Sequence, residues 1–341
     1  MSFSEIPIQN KKDWQNALSF IYQYDIYQTS DYAQLFTEYK KNVLLFFSEG
    51  KYNVIFPILI REIDNTNYTD ATSVYGYAGI LSNTNNIPLY IKEMFRENLI
   101  HYFKENQIIS GFSRLHPLMP ESPNFPDNLG TVEMINETVY IDLTLSEEEH
   151  LSQYASSLKR QLKNLRHLGI TCRIANNDEY EKFVSLYYKT MHRLNANENY
   201  YFPLEYFKKM AKATDFQTIF IYAEYENQLI GGGLFTCCNK FMQYHLGAVP
   251  EEFLIFSPLK IIIDTARQIG TQMGLTYLHL GGGHDGKGDG LFEFKSRFSK
   301  KRANFNVWKW IADESAYADL VNRKFGEKIP ESNYFPLYRL K

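Results

Sequence analysis

A chain of 341 residues is long for one hydrophobic core, so two domains are expected, each large enough to bury a core of its own. Apolar and charged fractions of 44% and 22% exclude a disordered or fibrous chain. A net charge of −3 excludes a bulk nucleic-acid binder that relies on a strongly positive field, so any polyanion has to be met locally.

The opening residues, Met1 to Pro7, show no basic start followed by an apolar segment. The longest apolar runs, such as Val54 to Ile60, are far too short to cross a bilayer, and a cytoplasmic protein is expected. Three cysteines, two of them the neighbours Cys237 and Cys238, make neither a disulfide framework nor a CxxC metal pair. On a strand these neighbours point to opposite faces and read as buried structural thiols.

In chain order, Trp14, Ala17, Leu18 and Ile21 fall at helical spacing within Lys11 to Tyr22, and Thr29-Ser30-Asp31 is placed to cap a second helix through Glu38. Two β-rich runs, Asn42 to Ser48 and Tyr52 to Arg61, flank Glu49-Gly50-Lys51 and read as a hairpin, with Pro57 marking an edge or a bulge. A third strand ends in Val74 to Ile80. Pro88 then opens a helix to about Phe103, and Ile108 to Leu115 returns as a strand.

Beyond the loop Pro117 to Asn128, a strand from Thr131 to Leu143 leads to Ser146, which with Glu147-Glu148-Glu149 forms a capping box. The helix it starts is expected to run to about Leu168, with Lys159, Arg160, Lys163 and Arg166 clustered as either a solvated face or an anion site. Helices over Asp178 to Leu194 and Pro203 to Ala213 precede a second hairpin, Gln217 to Tyr225 and Leu229 to Cys237. A strand from Lys240 to Gly247, a helix from Ser257-Pro258 to near Gly270 and a strand from Leu275 to Leu280 follow. Helices, hairpin, strand, helix, strand thus occur twice, which predicts an α/β protein of two similar units divided into residues 1–144 and 145–341.

The stretch after the last of these strands concentrates unusual chemistry. Gly281, Gly283 and Gly286 fit GxGxxG, while Gly281, Gly286 and Lys287 fit most of a Walker loop. Gly288 stands where that loop needs a Ser or Thr for magnesium, and no acid about twenty residues on follows a second βαβ strand. His284, Asp285 and Lys287 either contact a phosphate or sugar or form the polar tip of a loop. Asp289 is placed to cap the helix that carries Lys295. His279 and Asp285 lack the company of a metal site, so no metal is expected.

Several segments together resemble the FemABX and related GNAT-fold acyltransferases. They are Tyr277-Leu278-His279-Leu280-Gly281-Gly282-Gly283, Leu291-Phe292-Glu293-Phe294-Lys295 with Arg297-Phe298-Ser299, Tyr201-Phe202-Pro203 with Glu205-Tyr206-Phe207, and Ser257-Pro258 after Gly247. Tyr75-Gly76-Tyr77 with Gly79 and Ser113-Arg114-Leu115-His116-Pro117 extend the likeness into the first half. The resemblance implies two tandem GNAT-like domains, mixed central sheets flanked by helices, with the second bearing most of the active cleft. It implies transfer of an acyl or aminoacyl group to an amine. Fem-type members take the amino acid from aminoacyl-tRNA and attach it to a peptidoglycan precursor, whereas ordinary GNAT relatives use acyl-CoA. The chain lacks the long coiled-coil arm of some Fem members, and Gly247 to Phe253 lacks the Gly-rich basic loop that holds CoA pyrophosphate.

Acyl transfer to an amine needs an unprotonated nucleophile and stabilisation of a tetrahedral oxyanion. Spacing alone makes Lys295 a solvated lysine of an amphipathic helix; the resemblance places the Phe294-Lys295 pair at the reaction cleft and makes Lys295 the oxyanion partner. His245 is either the base or a packed strand histidine. Gly281, Gly282, Gly283, His284, Lys287, Ser257, Arg114, His116 and Tyr201 are the expected contacts to donor or acceptor. Ser257 is read as an N-cap with free N–H groups beyond it, and Arg114 and His116 either line the acceptor groove or make an interdomain contact. No cofactor is expected to be permanently bound, and the co-substrate is aminoacyl-tRNA or acyl-CoA. The expected function is attachment of that group to a cell-envelope precursor, by direct attack. Rival readings are an acyl-CoA N-acyltransferase acting on an amino sugar or small amine, a nucleotide-binding protein, and a catalytically silent precursor-binding module.

Overall fold

The computed structural model describes residues 2–36, 38–119, 129–283 and 289–340. The chain forms two compact units, one of residues 1–135 with 304–341 and one of residues 136–303.

The first unit opens with β1 (Ser2–Pro7), a strand absent from the expected elements, followed by α1 (Lys11–Ser19), which buries Trp14, Ala17 and Leu18. Thr29 caps α2 (Ser30–Ala33) by accepting from the Tyr32 N–H, as its position requires. The helix does not reach Glu38, however, because the Asn42 amide takes the carbonyls of Ala33 and Phe36. The hairpin of β2 (Lys41–Glu49) and β3 (Tyr52–Glu62) pairs in register from Lys41↔Ile60 to Glu49↔Tyr52. On its other side β3 meets β4 (Thr69–Thr72) over Leu59–Glu62 and β5 (Leu81–Ser82) over Val54–Ile55, so Pro57 falls in the gap between these partners, where a missing N–H does no harm.

The strand expected through Val74 to Ile80 stops at Thr72. Gly76 and Gly79 have φ of +116° and +87°, and a Cβ on Gly76 would stand 2.0 Å from the Tyr27 ring. The chain bends there because it has to pass over that ring, and only glycine permits it. Next, α3 (Leu89–Glu105) leads to β6 (Ile108–Arg114), which runs parallel to β4.

The second unit takes up the chain within β7 (Thr131–Asp142). The capping box at Ser146 forms in full, but the expected long helix is two, α4 (Glu147–Gln153) and α5 (Ser156–His167). Tyr154 and Ala155 are extended between them, the Tyr154 hydroxyl donating to buried Asp264 and the Ala155 N–H to the Arg297 carbonyl. There follow β8 (Thr171–Ile174), a strand not expected, α6 (Tyr180–Arg193), α7 (Leu204–Lys212), the hairpin β9 (Gln217–Tyr225) and β10 (Gln228–Cys238), and β11 (Phe241–Ala248). Then α8 (Leu259–Gln272) crosses to β12 (Tyr277–Gly281), parallel to β11, and α9 (Gly290–Ser296) closes the unit. The chain returns to the first unit with β13 (Arg302–Ile311) and α10 (Glu314–Phe325).

Strand order is β1-β2-β3-β4-β6-β13 in the first unit and β7-β12-β11-β10-β9-β8 in the second, two copies of one mixed α/β arrangement. In each, a hairpin, a strand, a crossover helix and a parallel strand follow in sequence. The sixth strand of the first unit comes from the far end of the chain: β13 pairs antiparallel with β6 from Val307↔Arg114 to Ile311↔Ser110. Trp308 and Trp310 on that strand stack at 4.2 Å and complete the first core with Phe56 and Phe103. Burial of two indoles ties residues 304–341 to the first unit, whereas the expected division at 144/145 assigns them to the second.

Candidate active site

Gly281 ends β12 with φ of +77°, and the chain is described again from Asp289, whose carboxylate accepts from the Phe292 N–H at 2.7 Å and caps α9. A Cβ on Gly283 would lie 2.5 Å from that carboxylate, so the glycine is required by close approach. One turn into α9, Lys295 is only 8% exposed and its Nζ donates to the Gly282 carbonyl at 2.6 Å. Burial pushes its ammonium down to about 8, against a smaller opposing pull from Asp289. A lysine on a solvated helix face shows none of this. Gly281, Gly282 and Gly283 therefore serve to seat the cap and the lysine; His284 and Lys287 lie outside the described residues. Phe294 turns toward the second core, edge-on to Phe298 with ring centroids 5.5 Å apart.

The strands β11 and β12 are paired through Phe241↔Tyr277, Met242↔Leu278 and Gln243↔His279, and the last pair is joined by a buried bond from His279 Nδ1 to Gln243 Oε1 at 2.8 Å. Past this point β11 continues to Ala248 against β10 alone, while β12 ends at Gly281. His245 sits on that continuation, two residues past the last pair, and Gly281 and Gly282 lie two and three residues past it on the other strand. The fold thus brings His245 and the Lys295 anchor to the carboxyl-terminal end of one parallel pair, the end at which open α/β sheets take ligands.

His245 is half-buried, and its Nε2 lies 2.7 Å from the Tyr206 hydroxyl. Burial pushes the imidazole down to about 4, so it is neutral near pH 7, with the direction of its bond to the phenol set by the tautomer. Tyr206 comes from α7 and stacks on Phe202 at 4.5 Å. The segment before α7 is latched by two tyrosines of α6, Tyr187 donating to the Tyr200 carbonyl and Tyr188 to that of Phe202, both at 2.7 Å. Tyr201 remains 39% exposed beside the Tyr188 ring. Tyr206 had only its place in the Tyr-Phe-Pro segment as a sequence signal; nothing in spacing points its hydroxyl at His245.

Ser257 does not cap α8. It stands in the left-handed region at φ +50° after a 3-10 turn over Glu251–Phe256, its hydroxyl directed to the Leu254 carbonyl, and α8 starts without a side-chain cap. The turn takes the serine backward, and Pro258 opens the helix. On α5, Lys159, Arg160 and Lys163 are exposed, while Arg166 pairs with buried Asp264.

In the first unit His116 is fully buried and both ring nitrogens are engaged: Nε2 with Asp25 at 2.9 Å, and Nδ1 as acceptor from the Leu118 N–H at 3.2 Å. It holds the chain after β6 to the segment before α2. Arg114, two residues past the last β4–β6 pair, Thr72↔Phe112, lies over the Phe112 ring at 5.1 Å. Among the described residues no group of three or more His, Cys, Asp or Glu is placed to hold a metal ion. No described helix is long and apolar enough to cross a membrane.

No family model matches the chain, and no curated protein matches it in sequence. Its architecture is that of the FemABX-type GNAT fold. A crystal structure of FemX superimposes with a TM-score of 0.72 at 12% identity, over 93% of this chain and 99% of that one. The C-terminal domain of a putative lysylphosphatidylglycerol synthetase from Agrobacterium fabrum gives 0.58 at 13% identity, covering 89% and 93%. The structure described as L-PGS from Bacillus licheniformis gives 0.56 at 11%, covering 92% and 96%.

Proposed function

We propose that the chain is an acyltransferase that moves an aminoacyl or acyl group onto an amine of a cell-envelope component, of the peptidoglycan-precursor kind. The observation that carries the proposal is Lys295, buried, anchored on the Gly282 carbonyl and still mostly protonated near pH 7. An ammonium held in a dry site beside the ends of β11 and β12 is suited to stabilise the oxyanion that forms when an amine attacks an acyl carbonyl. Attack is direct: the C–N bond forms, the carbonyl electrons move to oxygen and return, and the donor's hydroxyl or thiol leaves with a proton. Neutral His245, linked to Tyr206, is the candidate acceptor for the proton the amine gives up.

The likeness to FemX and to the lysylphosphatidylglycerol synthetases supports a cell-envelope acceptor and an aminoacyl donor. Acyl-CoA is the second donor to test, and neither is expected to be held between turnovers. The described ends of the glycine loop seat Asp289 and Lys295, which favours acyl transfer over a nucleotide cradle.

The test supplies aminoacyl-tRNA or acyl-CoA with a UDP-linked muropeptide and measures amide formation. Product with one donor, lost in Lys295→Ala, supports the reading. Stabilisation by ATP-magnesium that disappears in Lys287→Ala would replace it with nucleotide binding.

A further inference from the structure

Past the pair Gly281↔Val139, β12 has ended, and the antiparallel β7 extends alongside the next residue, Gly282. A Cβ on Gly282 would stand 3.2 Å from the Glu137 carbonyl oxygen, 3.5 Å from Asn136 Oδ1 and 3.7 Å from Asn136 Nδ2. Gly282 thus has the Asn136 carboxamide against its α-carbon while its own carbonyl accepts from the Lys295 Nζ at 2.6 Å. All of these residues belong to the second unit.

The Asn136 side chain is half-buried, but its carboxamide oxygen is buried and receives no hydrogen bond from any described residue. Its neighbour on the same side of β7 is satisfied, the Thr138 hydroxyl donating to the Ala303 carbonyl at 3.2 Å. A buried amide oxygen without a donor is costly, and at the edge of a candidate site the missing donor points to a ligand.

Two properties decide which donor fits. A carboxamide stays neutral and takes up no proton, so its oxygen only accepts. The Lys295 ammonium, bonded to the same glycine, repels a second cation, so the matching group is a neutral N–H rather than an ammonium. The amine that attacks an acyl carbonyl is such a group, because it has to be unprotonated to react.

We infer that Asn136 Oδ1 receives an N–H of the acceptor amine and holds its nitrogen toward the acyl carbon, while Lys295 holds the acyl oxygen. The inference rests on the acyl-transfer reading and names the group that positions its nucleophile. Asn136 exchanges no proton. The C–N bond forms from the nitrogen lone pair, the proton shed goes to the general base, and the hydrogen bonded to Asn136 stays on nitrogen.

The test is calorimetric titration of the full chain with a UDP-linked muropeptide bearing a free side-chain amine, and with the analogue in which a methyl group replaces that amine. The wild type is expected to bind the amine form about tenfold more tightly, and Asn136→Ala to bind the two alike. Equal affinities in the wild type, binding of neither compound, or an amine preference kept by Asn136→Ala overturns the inference. Should that variant fold poorly, Asn136→Leu, close in volume and without the oxygen, carries the comparison. Asn136→Asp tests the placement without any ligand. A carboxylate there should raise the Lys295 midpoint from about 8, and an unmoved midpoint also overturns the inference. The acyl-transfer reading fails separately, by the absence of amide product with either donor.

Discussion

The first and second units share a strand order, and each has a cation at or beyond the carboxyl-terminal end of its parallel pair. In the first it is Arg114, the last residue of β6, half-buried over the Phe112 ring; in the second it is Lys295 on α9, buried against the Gly282 carbonyl. An arginine keeps its charge through any pH the protein meets, which suits holding a ligand, whereas a buried lysine near 8 is responsive to its surroundings, which suits chemistry. The histidines differ in the same sense. His116 has both nitrogens engaged and is a strut, while His245 is neutral and touches a tyrosine hydroxyl beside the splayed strands. One arrangement, used twice, carries a doubly bonded, buried histidine in one copy and a buried lysine with a neutral histidine in the other.

The sharpest break of this contrast is Lys295→Ala, which removes the proposed oxyanion partner and should lower turnover by about 10²–10³-fold, with an unchanged circular-dichroism spectrum. Wild-type turnover would sink the assignment. Second, His116→Ala leaves Asp25 without its buried partner and should cost about 1–3 kcal/mol in denaturant unfolding, while kcat changes little. A large loss of kcat at intact stability would move His116 from strut to chemistry.

Third, Gly283→Ala drives a Cβ into the Asp289 carboxylate and disturbs the cap beneath Lys295. Turnover should fall roughly tenfold, the scale of losing one helix cap, without a comparable change in acceptor KM. The last is a pH effect on stability. His245 is held at about 4 in the folded chain against 6.5 unfolded, so the unfolded state binds more protons between those values. Its contribution is complete above about 6.5 and declines as pH falls toward 4. His245→Gln should flatten that part of the profile; an unchanged slope would say the imidazole is ordinarily solvated.

Much of the fold was legible in the sequence because it rests on local signals. Both hairpins, the capping box at Ser146 and the Asp289 cap follow from turn residues and alternation. What was not legible depends on distant partners. The break between α4 and α5 is imposed by Asp264 and Arg297, more than a hundred residues on. The place of β13 is set by two indoles entering the other unit's core, and Ser257 is turned by backbone geometry that its Ser-Pro sequence does not announce. At the site, the Phe294-Lys295 pair was visible as a resemblance, but the depressed ammonium is a property of burial, and so is the pairing of Tyr206 with His245.

The central claim is that Lys295 is a desolvated, functionally tuned ammonium, and NMR titration of its isotope-labelled side chain tests that most directly, with Lys295→Arg used to assign the signal. In the folded chain a midpoint near 8 is predicted, the lysine losing its proton well before its ordinary value of 10.5. The same shift makes stability rise with pH between those two values and makes turnover fall above about 8. A midpoint at 10.5 would mean a solvated lysine and would contradict the account.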